Sequence, residues 1–137
     1  MDAELAGLTA HLVTPGPVPA GDVEAVGKAL GIAWPGDYLG FMVEAGGGEG
    51  WVGPGYLSLW PVGDLVQNNL AVDLPTFAPN LVGIGTDGGG ELFAFESSAS
   101  PPSIVMVPLV GLDQPIEIGS FSDLLRRLDA DQLFELR

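Results

Sequence analysis

Residues 81–96, LVGIGTDGGGELFAFE, decide the fold of this chain. Two apolar runs, residues 81–85 and 92–96, flank the turn Asp87-Gly88-Gly89-Gly90, and runs of this length bounded by glycine are typical of strands. Residues 83–88 also match the glycine spacing of a dinucleotide-binding loop. Because a second strand follows, and not the helix whose N-terminus would bind pyrophosphate, we interpret the segment as an antiparallel hairpin.

Four further apolar segments extend the predicted sheet. Residues 50–52 and 56–60 are joined by Gly53-Pro54-Gly55 and predict a second hairpin, whose alternate side chains lie on opposite faces. Residues 104–110 and 115–118 follow the first hairpin across short connections. Such connections favour antiparallel neighbours, so the sequence predicts a meander of about six strands.

Apolar residues spaced by three and four predict helices at both ends of the chain. The predicted helices are residues 2–13, residues 22–30 with Asp22 as N-cap and Gly31 as C-cap, a third that opens at Trp34-Pro35-Gly36-Asp37, residues 64–72, and one that begins with the capping-box pair Ser120 and Asp123. We expect the first two helices to form a short antiparallel pair, and Pro75 to Pro79 to be a loop.

These elements predict an α+β fold. A twisted antiparallel sheet of about six strands would carry the N-terminal helices and a C-terminal helix packed on it. The hydrophobic content of 47%, with three Trp and six Phe, supports a packed core. No repeat, linker or low-complexity segment divides the chain, so we expect a single domain over residues 1–137.

The composition argues against several classes of protein. The chain has no Cys, which excludes disulfides and thiolate metal sites. It has no basic leader and no run of about 18 uncharged apolar residues, so we expect a cytoplasmic protein that is neither exported nor membrane-spanning. With 18 Asp and Glu against four Lys and Arg, direct nucleic-acid binding is disfavoured, because phosphate contacts need clustered cations.

The negative charge is concentrated in the middle of the sequence. Every charged residue between Lys28 and Arg126 is acidic, and the net charge is -14. Such a surface can steer a basic partner, but net charge also keeps small proteins soluble, and composition alone leaves both interpretations open.

The order of several motifs resembles the SUKH superfamily, and within it most closely the cell-wall assembly regulator (Smi/Knr) branch. The motifs are Trp-Pro-Gly-Asp-Tyr at residues 34–38, Phe41-Met42, Gly46-Gly47, Leu57-Ser58-Leu59-Trp60, residues 82–90 and residues 118–125. Trp34 stands where the family usually has an aliphatic residue, and Ala45 stands where Asn commonly precedes the two glycines.

The resemblance implies a twisted sheet flanked by helices. In bacteria it implies an immunity protein that neutralises the toxin domain encoded beside it, and other members are scaffolds in fungal signalling. Many such toxins are basic nucleases, which an acidic inhibitor would suit. The family pattern carries no catalytic residues, so we expect no enzyme and no cofactor.

The sequence gives weaker support for a metal site or for catalysis. Asp87 and Glu91 place two carboxylates across a glycine turn, but the spacing does not match a calcium-binding EF-hand loop, and we predict no metal site. His11 is the only histidine, and we interpret it as a surface or half-buried helix residue. A hydrolase with paired carboxylates stays open, because many acidic pairs are possible and none stands out.

The predicted partner-binding residues surround Trp51. Trp is enriched among interface anchors, although a core position covering the sheet is the alternative for Trp51. The predicted set is Glu49, Trp51, Asp64, Asp87, Glu91 and Glu96. We therefore expect a protein-binding module of the immunity type that recognises a basic toxin domain, with a regulatory scaffold as the alternative.

Overall fold

The six strands of the molecule form one antiparallel sheet, in a computed structural model that describes residues 1–137. The strands are β1 Gly48–Val52, β2 Gly55–Leu59, β3 Leu81–Thr86, β4 Glu91–Glu96, β5 Ser103–Pro108 and β6 Ile116–Gly119. Their order in the sheet is their order in the sequence. The predicted meander, its two hairpins and the α+β class are confirmed.

Helices precede, interrupt and follow the sheet. They are α1 Ala3–Leu8, α2 Ala20–Leu30, α3 Gly36–Ala45, α4 Leu65–Ala71, α5 Leu74–Phe77 and α6 Phe121–Asp129, with 3₁₀ turns at Val62–Asp64 and Phe134–Leu136. Each of these helices is too short or too polar to cross a lipid bilayer. The predicted loop at Pro75 was wrong in part, because α5 forms there and buries Leu74.

The capping box of α6 is present as predicted. The Ser120 hydroxyl accepts a hydrogen bond from the backbone N–H of Asp123, and the Asp123 carboxylate accepts one from the backbone N–H of Ser120. Both bonds satisfy N–H groups that a helix start leaves unpaired. Every apolar residue of the predicted amphipathic face is buried, namely Phe121, Leu124, Leu125 and Leu128.

The start of α2 differs from the prediction. Pro19, with a ψ of 139°, occupies the N-cap position, so the helix begins at Ala20 and Asp22 lies inside its first turn. A carboxylate in the first turn interacts favourably with the helix dipole. Asp is favoured both there and at the N-cap, so the sequence alone did not distinguish the two positions. Gly31 ends α2 in the left-handed conformation, as predicted.

The predicted pairing of the first two helices is also wrong. Helix α1 ends at Leu8 and packs against α6, whereas α2 packs against α3. The chain turns after α1, which leaves His11 exposed in the turn and lets Val13 bridge to Glu49 on β1. The apolar spacing in the sequence extends to Leu12 because Leu12 is also buried, although it lies beyond the end of α1.

Two apolar clusters hold the sheet, one on each face. The larger lies under α1, α2, α3 and α6 and contains 26 buried residues, among them Tyr38, Phe93, Phe95 and Phe121. The smaller lies on the opposite face and consists of Leu74, Leu81, Leu92, Ala94, Val105 and Val107. It is covered by α5, which contributes Leu74, by Trp60 and by the segment after β5. The central strand β4 contributes alternate residues to both clusters.

The turn from α3 into β1 requires two glycines. Gly46 and Gly47 have φ values of 77° and 134°, which L-residues with side chains rarely adopt. A Cβ on Gly46 would collide with the carbonyl oxygen of Gly16, and one on Gly47 would lie 2.9 Å from the Cα of Pro61. The pair therefore lets α3 end directly against the hairpin of β1 and β2.

Candidate functional site

The hairpin of β1 and β2 presents polar and aromatic side chains on the face opposite the larger apolar cluster. Trp51 on β1 lies opposite Tyr56 on β2, and Glu49 lies opposite Ser58. Their neighbours along both strands are buried in the larger cluster, including Val52 and Leu57. Strand alternation thus puts these four side chains together on the outer face.

Glu49, Trp51 and Tyr56 contact one another and are called here the outer cluster. The Trp51 and Tyr56 rings are 5.2 Å apart between centroids and meet at 78°, an edge-to-face arrangement. The Tyr56 hydroxyl donates a hydrogen bond of 2.6 Å to Glu49 Oε1. Trp51 nevertheless remains 57% exposed. Tyr56 therefore fixes a tryptophan and a carboxylate that both face solvent.

The hydrogen bond between Tyr56 and Glu49 also changes the acidity of the phenol. It is the main cause that raises the pKa of Tyr56, with desolvation and the nearby negative charge of Glu49 acting in the same direction. The phenol accordingly keeps its proton and acts as a donor. No other side chain forms a hydrogen bond or an ion pair with the Glu49 carboxylate.

An open depression of about 490 Å³ adjoins the outer cluster. Glu49 and Tyr56 of the cluster line it together with residues from the segment before α2 and from β1, β2 and the residues that follow β2: Val13, Pro15, Gly48, Ser58, Leu59 and Pro61. Val13 is 79% exposed. The outer face of the hairpin therefore offers apolar surface beside an unpaired carboxylate.

Asp87 approaches the outer cluster from the turn between β3 and β4. Its Oδ1 accepts hydrogen bonds from the backbone N–H groups of Gly89 and Glu91, so the carboxylate shapes the turn. Gly88, at a φ of 81°, packs on the ring of Tyr56, and a Cβ there would lie 2.6 Å from Tyr56 Cδ1. The turn that Asp87 shapes therefore packs against Tyr56 of the outer cluster.

The structure does not gather the other three predicted residues around the outer cluster. Glu91 shares the helix-covered face with Phe93 and forms a two-point ion pair with Arg137, at 3.0 and 2.9 Å. Glu96, about 17 Å further along β4, accepts a hydrogen bond from the Ser98 hydroxyl. Asp64 is exposed in the 3₁₀ turn that precedes α4.

Tyr56 was not in the predicted set, although the sequence contains the signal that identifies it. A two-residue connection at Gly53-Pro54 sets Val52 opposite Gly55, and the next pair is Trp51 with Tyr56. If the residue pairs are counted outward from the turn, the rings of Trp51 and Tyr56 are expected side by side.

A model of the SMI1/KNR4 family (SUKH-1) matches residues 17–127. The chain belongs to this family. The matched region contains all six strands and the outer cluster, whereas α1 precedes it. No curated protein matches the chain.

The SUKH-1 domain accommodates Trp34, the first departure from the motif, within its core. The indole Nε1 donates a 2.9 Å hydrogen bond to the carbonyl oxygen of Val23, and the ring lies 4.9 Å from that of Tyr38. Gly27 makes room, because a Cβ there would lie 2.5 Å from the indole nitrogen. Ala45, the second departure, is buried at the end of α3.

The carboxylates of this SUKH-1 domain do not form an obvious chemical centre. The depression that Asp87 and Asp131 line also contains Arg127, and the one lined by Glu4 and Asp129 contains His11. In each depression, one carboxylate already has a bonding partner within the domain. Asp87 accepts backbone hydrogen bonds in its turn, and Glu4 forms an ion pair with Arg126. The glycine motif at residues 83–88 forms the end of β3 and its turn, and β4 follows it.

Proposed function

We propose that this SUKH-1 domain is a protein-binding module of the immunity type, which neutralises a toxin domain in the cytoplasm by binding it directly. The observation that carries the proposal is the outer cluster, where an exposed tryptophan stands beside a carboxylate without a cationic partner. Family membership supports a binding role in general. We propose that residues 1–137 form a single domain.

The position of Trp51 suits an interface anchor. Trp, Tyr and Arg dominate the residues that contribute most to protein association. Trp51 sits on a strand, and its ring is held against Tyr56, so little side-chain freedom remains to be lost on binding. Its 57% exposure leaves most of the indole available for contact with a partner.

The charge of the domain supports a basic partner. Of the four cationic side chains, Arg126 is paired with Glu4 and Asp123, and Arg137 is paired with Glu91. The net charge of -14 is therefore presented largely by unpaired carboxylates such as Glu49 and Asp64. Such a field accelerates association with a positively charged protein, for which a toxin domain of the nuclease type is a fitting example.

Co-purification and protection test this function. A tagged domain should retain the protein encoded beside its gene, with an affinity that falls as salt rises, and co-expression should abolish the toxicity of that protein. Trp51→Ala should weaken both effects, whereas Phe77→Ala, which removes a ring that is 69% exposed on α5, should not. Binding without any toxicity to suppress would favour the regulatory scaffold, and absence of binding would contradict both.

A further inference from the structure

The outer cluster has the charge and the exposed aromatic surface of a binding site for a cationic side chain. We infer that its occupant is an arginine of the partner, whose guanidinium pairs with the Glu49 carboxylate while its plane stacks on Trp51. This inference deepens the proposed function and rests on it. It names the chemistry that the partner must present at this face of the hairpin.

The Glu49 carboxylate is oriented but not neutralised. Tyr56 donates a neutral hydrogen bond to Oε1, which fixes the rotamer and leaves the charge in place. The guanidinium groups of Arg126 and Arg137 are bound to other carboxylates. A carboxylate held in this way loses little freedom when a cation arrives, so the ion pair retains more of its energy than a mobile surface pair does.

The aromatic partner of the cation stands two residues away on the same strand. Glu49 and Trp51 share the outer face of β1, so their side chains emerge about 7 Å apart. A guanidinium that contacts the carboxylate can therefore also lie over the exposed indole. Trp is the most favourable aromatic residue for such a cation–π contact.

The geometry favours arginine over lysine. A guanidinium is planar, is more weakly hydrated than an ammonium, and can pair with a carboxylate while it stacks on a ring. The depression of about 490 Å³ beside the cluster supplies apolar lining from Val13, Pro15 and Pro61, which can cover the aliphatic part of the arginine and its neighbours. The ammonium group of a lysine would form an ion pair with the Glu49 carboxylate but could not stack on the ring of Trp51.

A peptide titration followed by NMR tests the inference without the natural partner. The probe is an acetylated and amidated pentapeptide, Ser-Gly-Arg-Gly-Ser, with otherwise identical peptides that carry lysine or the neutral isostere citrulline. The domain has three indole N–H signals. The Trp51 signal should shift with the arginine peptide, less with lysine and least with citrulline, whereas the signal of Trp34, which is bonded to Val23, should not move.

Two variants assign the effect to the cluster. Glu49→Gln should weaken binding of the arginine peptide by about tenfold, since a charge-assisted hydrogen bond is lost. Glu117→Gln makes the same charge change at an exposed position on β6, at the other edge of the sheet, and should leave the affinity unchanged. Equal binding of arginine and citrulline, or equal loss in the two variants, would overturn the inference. Circular dichroism confirms that both variants are folded.

The arginine peptide and the partner protein test two different properties of the domain. If the partner protein binds the wild-type domain and the Glu49→Gln variant equally, arginine binding at the outer cluster is refuted and the protein-binding function stands. If the arginine peptide binds at Trp51 as described but no partner protein is retained, the outer cluster binds arginine and the proposed protein-binding function is refuted.

Discussion

The side-chain amide of Asn69 on α4 pairs with the backbone of Gly83 on β3 as a neighbouring strand would. The Gly83 N–H donates to Asn69 Oδ1 at 2.7 Å, and Asn69 Nδ2 donates to the Gly83 carbonyl oxygen at 3.0 Å. β2 pairs with β3 only near Leu59, and it leaves the sheet after Trp60. The amide thereby satisfies backbone groups that would otherwise be buried without partners.

Loss of this amide should be costly to the fold. Asn69→Ala leaves the N–H and carbonyl of Gly83 unpaired in the interior, and we expect the free energy of unfolding to fall by about 2–3 kcal/mol. Urea denaturation measures the change. Asn68→Ala, one position earlier on α4 and only half-buried, is the matched control and should cost less than about 1 kcal/mol. Equal losses would contradict the strand-like role of Asn69.

The hydroxyl of Tyr38 should contribute nothing to stability. Tyr38 is fully buried among Trp34, Phe95 and Phe121, and its hydroxyl has no hydrogen-bond partner among the protein atoms. Tyr38→Phe keeps the ring and removes an unpaired polar group, so we expect unchanged stability or a gain of up to about 1 kcal/mol.

Trp34 provides the contrast to Tyr38 in the same cluster. Its indole nitrogen is bonded to the Val23 carbonyl oxygen, and Trp34→Phe removes both that bond and part of the ring volume. We expect a loss of about 2–3 kcal/mol in chemical denaturation. A destabilised Tyr38→Phe variant would show that the hydroxyl has an unrecognised role in the core.

The acidity of Tyr56 should depend on Glu49. The carboxylate raises the Tyr56 pKa above its ordinary value of 10.0 chiefly through the hydrogen bond, so Glu49→Gln should lower this pKa towards 10.0. In a Tyr38→Phe background Tyr56 is the only tyrosine, and the ultraviolet absorbance of its phenolate reports the titration directly. An unchanged pKa in Glu49→Gln would show that the hydrogen bond does not persist in solution.

The capping box of α6 should make stability depend on pH in the acidic range. The backbone N–H of Ser120 is the main cause that lowers the pKa of Asp123, with the Ser120 hydroxyl and Arg126 acting in the same direction. A carboxylate with a lowered pKa in the folded state contributes stability that is present above its unfolded pKa, near 3.8. That contribution is lost as the pH falls through the lowered pKa of the folded state.

Removal of the Asp123 carboxylate should weaken this dependence. Asp123→Asn should lose less stability than the wild-type domain on acidification below pH about 4, as measured by denaturation at a series of pH values. Glu117→Gln removes a carboxylate that is exposed on β6, and is the control for the general effect of charge. Parallel curves for Asp123→Asn and the wild type would contradict the prediction.

Much of the sheet was predictable because its connections are short. Asp87-Gly88-Gly89-Gly90 and Gly53-Pro54-Gly55 leave no room for a helix, so they fix antiparallel neighbours regardless of what packs on the sheet. The start of α6 was predictable for a similar reason. Ser120 and Asp123 form their two hydrogen bonds within one turn, and the local sequence contains both partners.

Contacts between distant parts of the chain were not predictable. Glu91 resembled the other acids of the middle segment, but its partner Arg137 is 46 residues away and reaches it only through the fold. Asn69 resembled a polar helix residue, since its burial depends on where β2 leaves β3. The start of α2 was missed because Pro19 caps the helix by conformation alone, without a side-chain hydrogen bond.

The central strand β4 links the two apolar clusters mechanically. Phe93 and Phe95 belong to the cluster beneath the helices, while Leu92 and Ala94 belong to the cluster on the opposite face. Loss of packing in either cluster should therefore disturb β4, and with it the other cluster. We therefore expect the domain to unfold in one cooperative transition, with tryptophan fluorescence and far-ultraviolet circular dichroism giving the same midpoint.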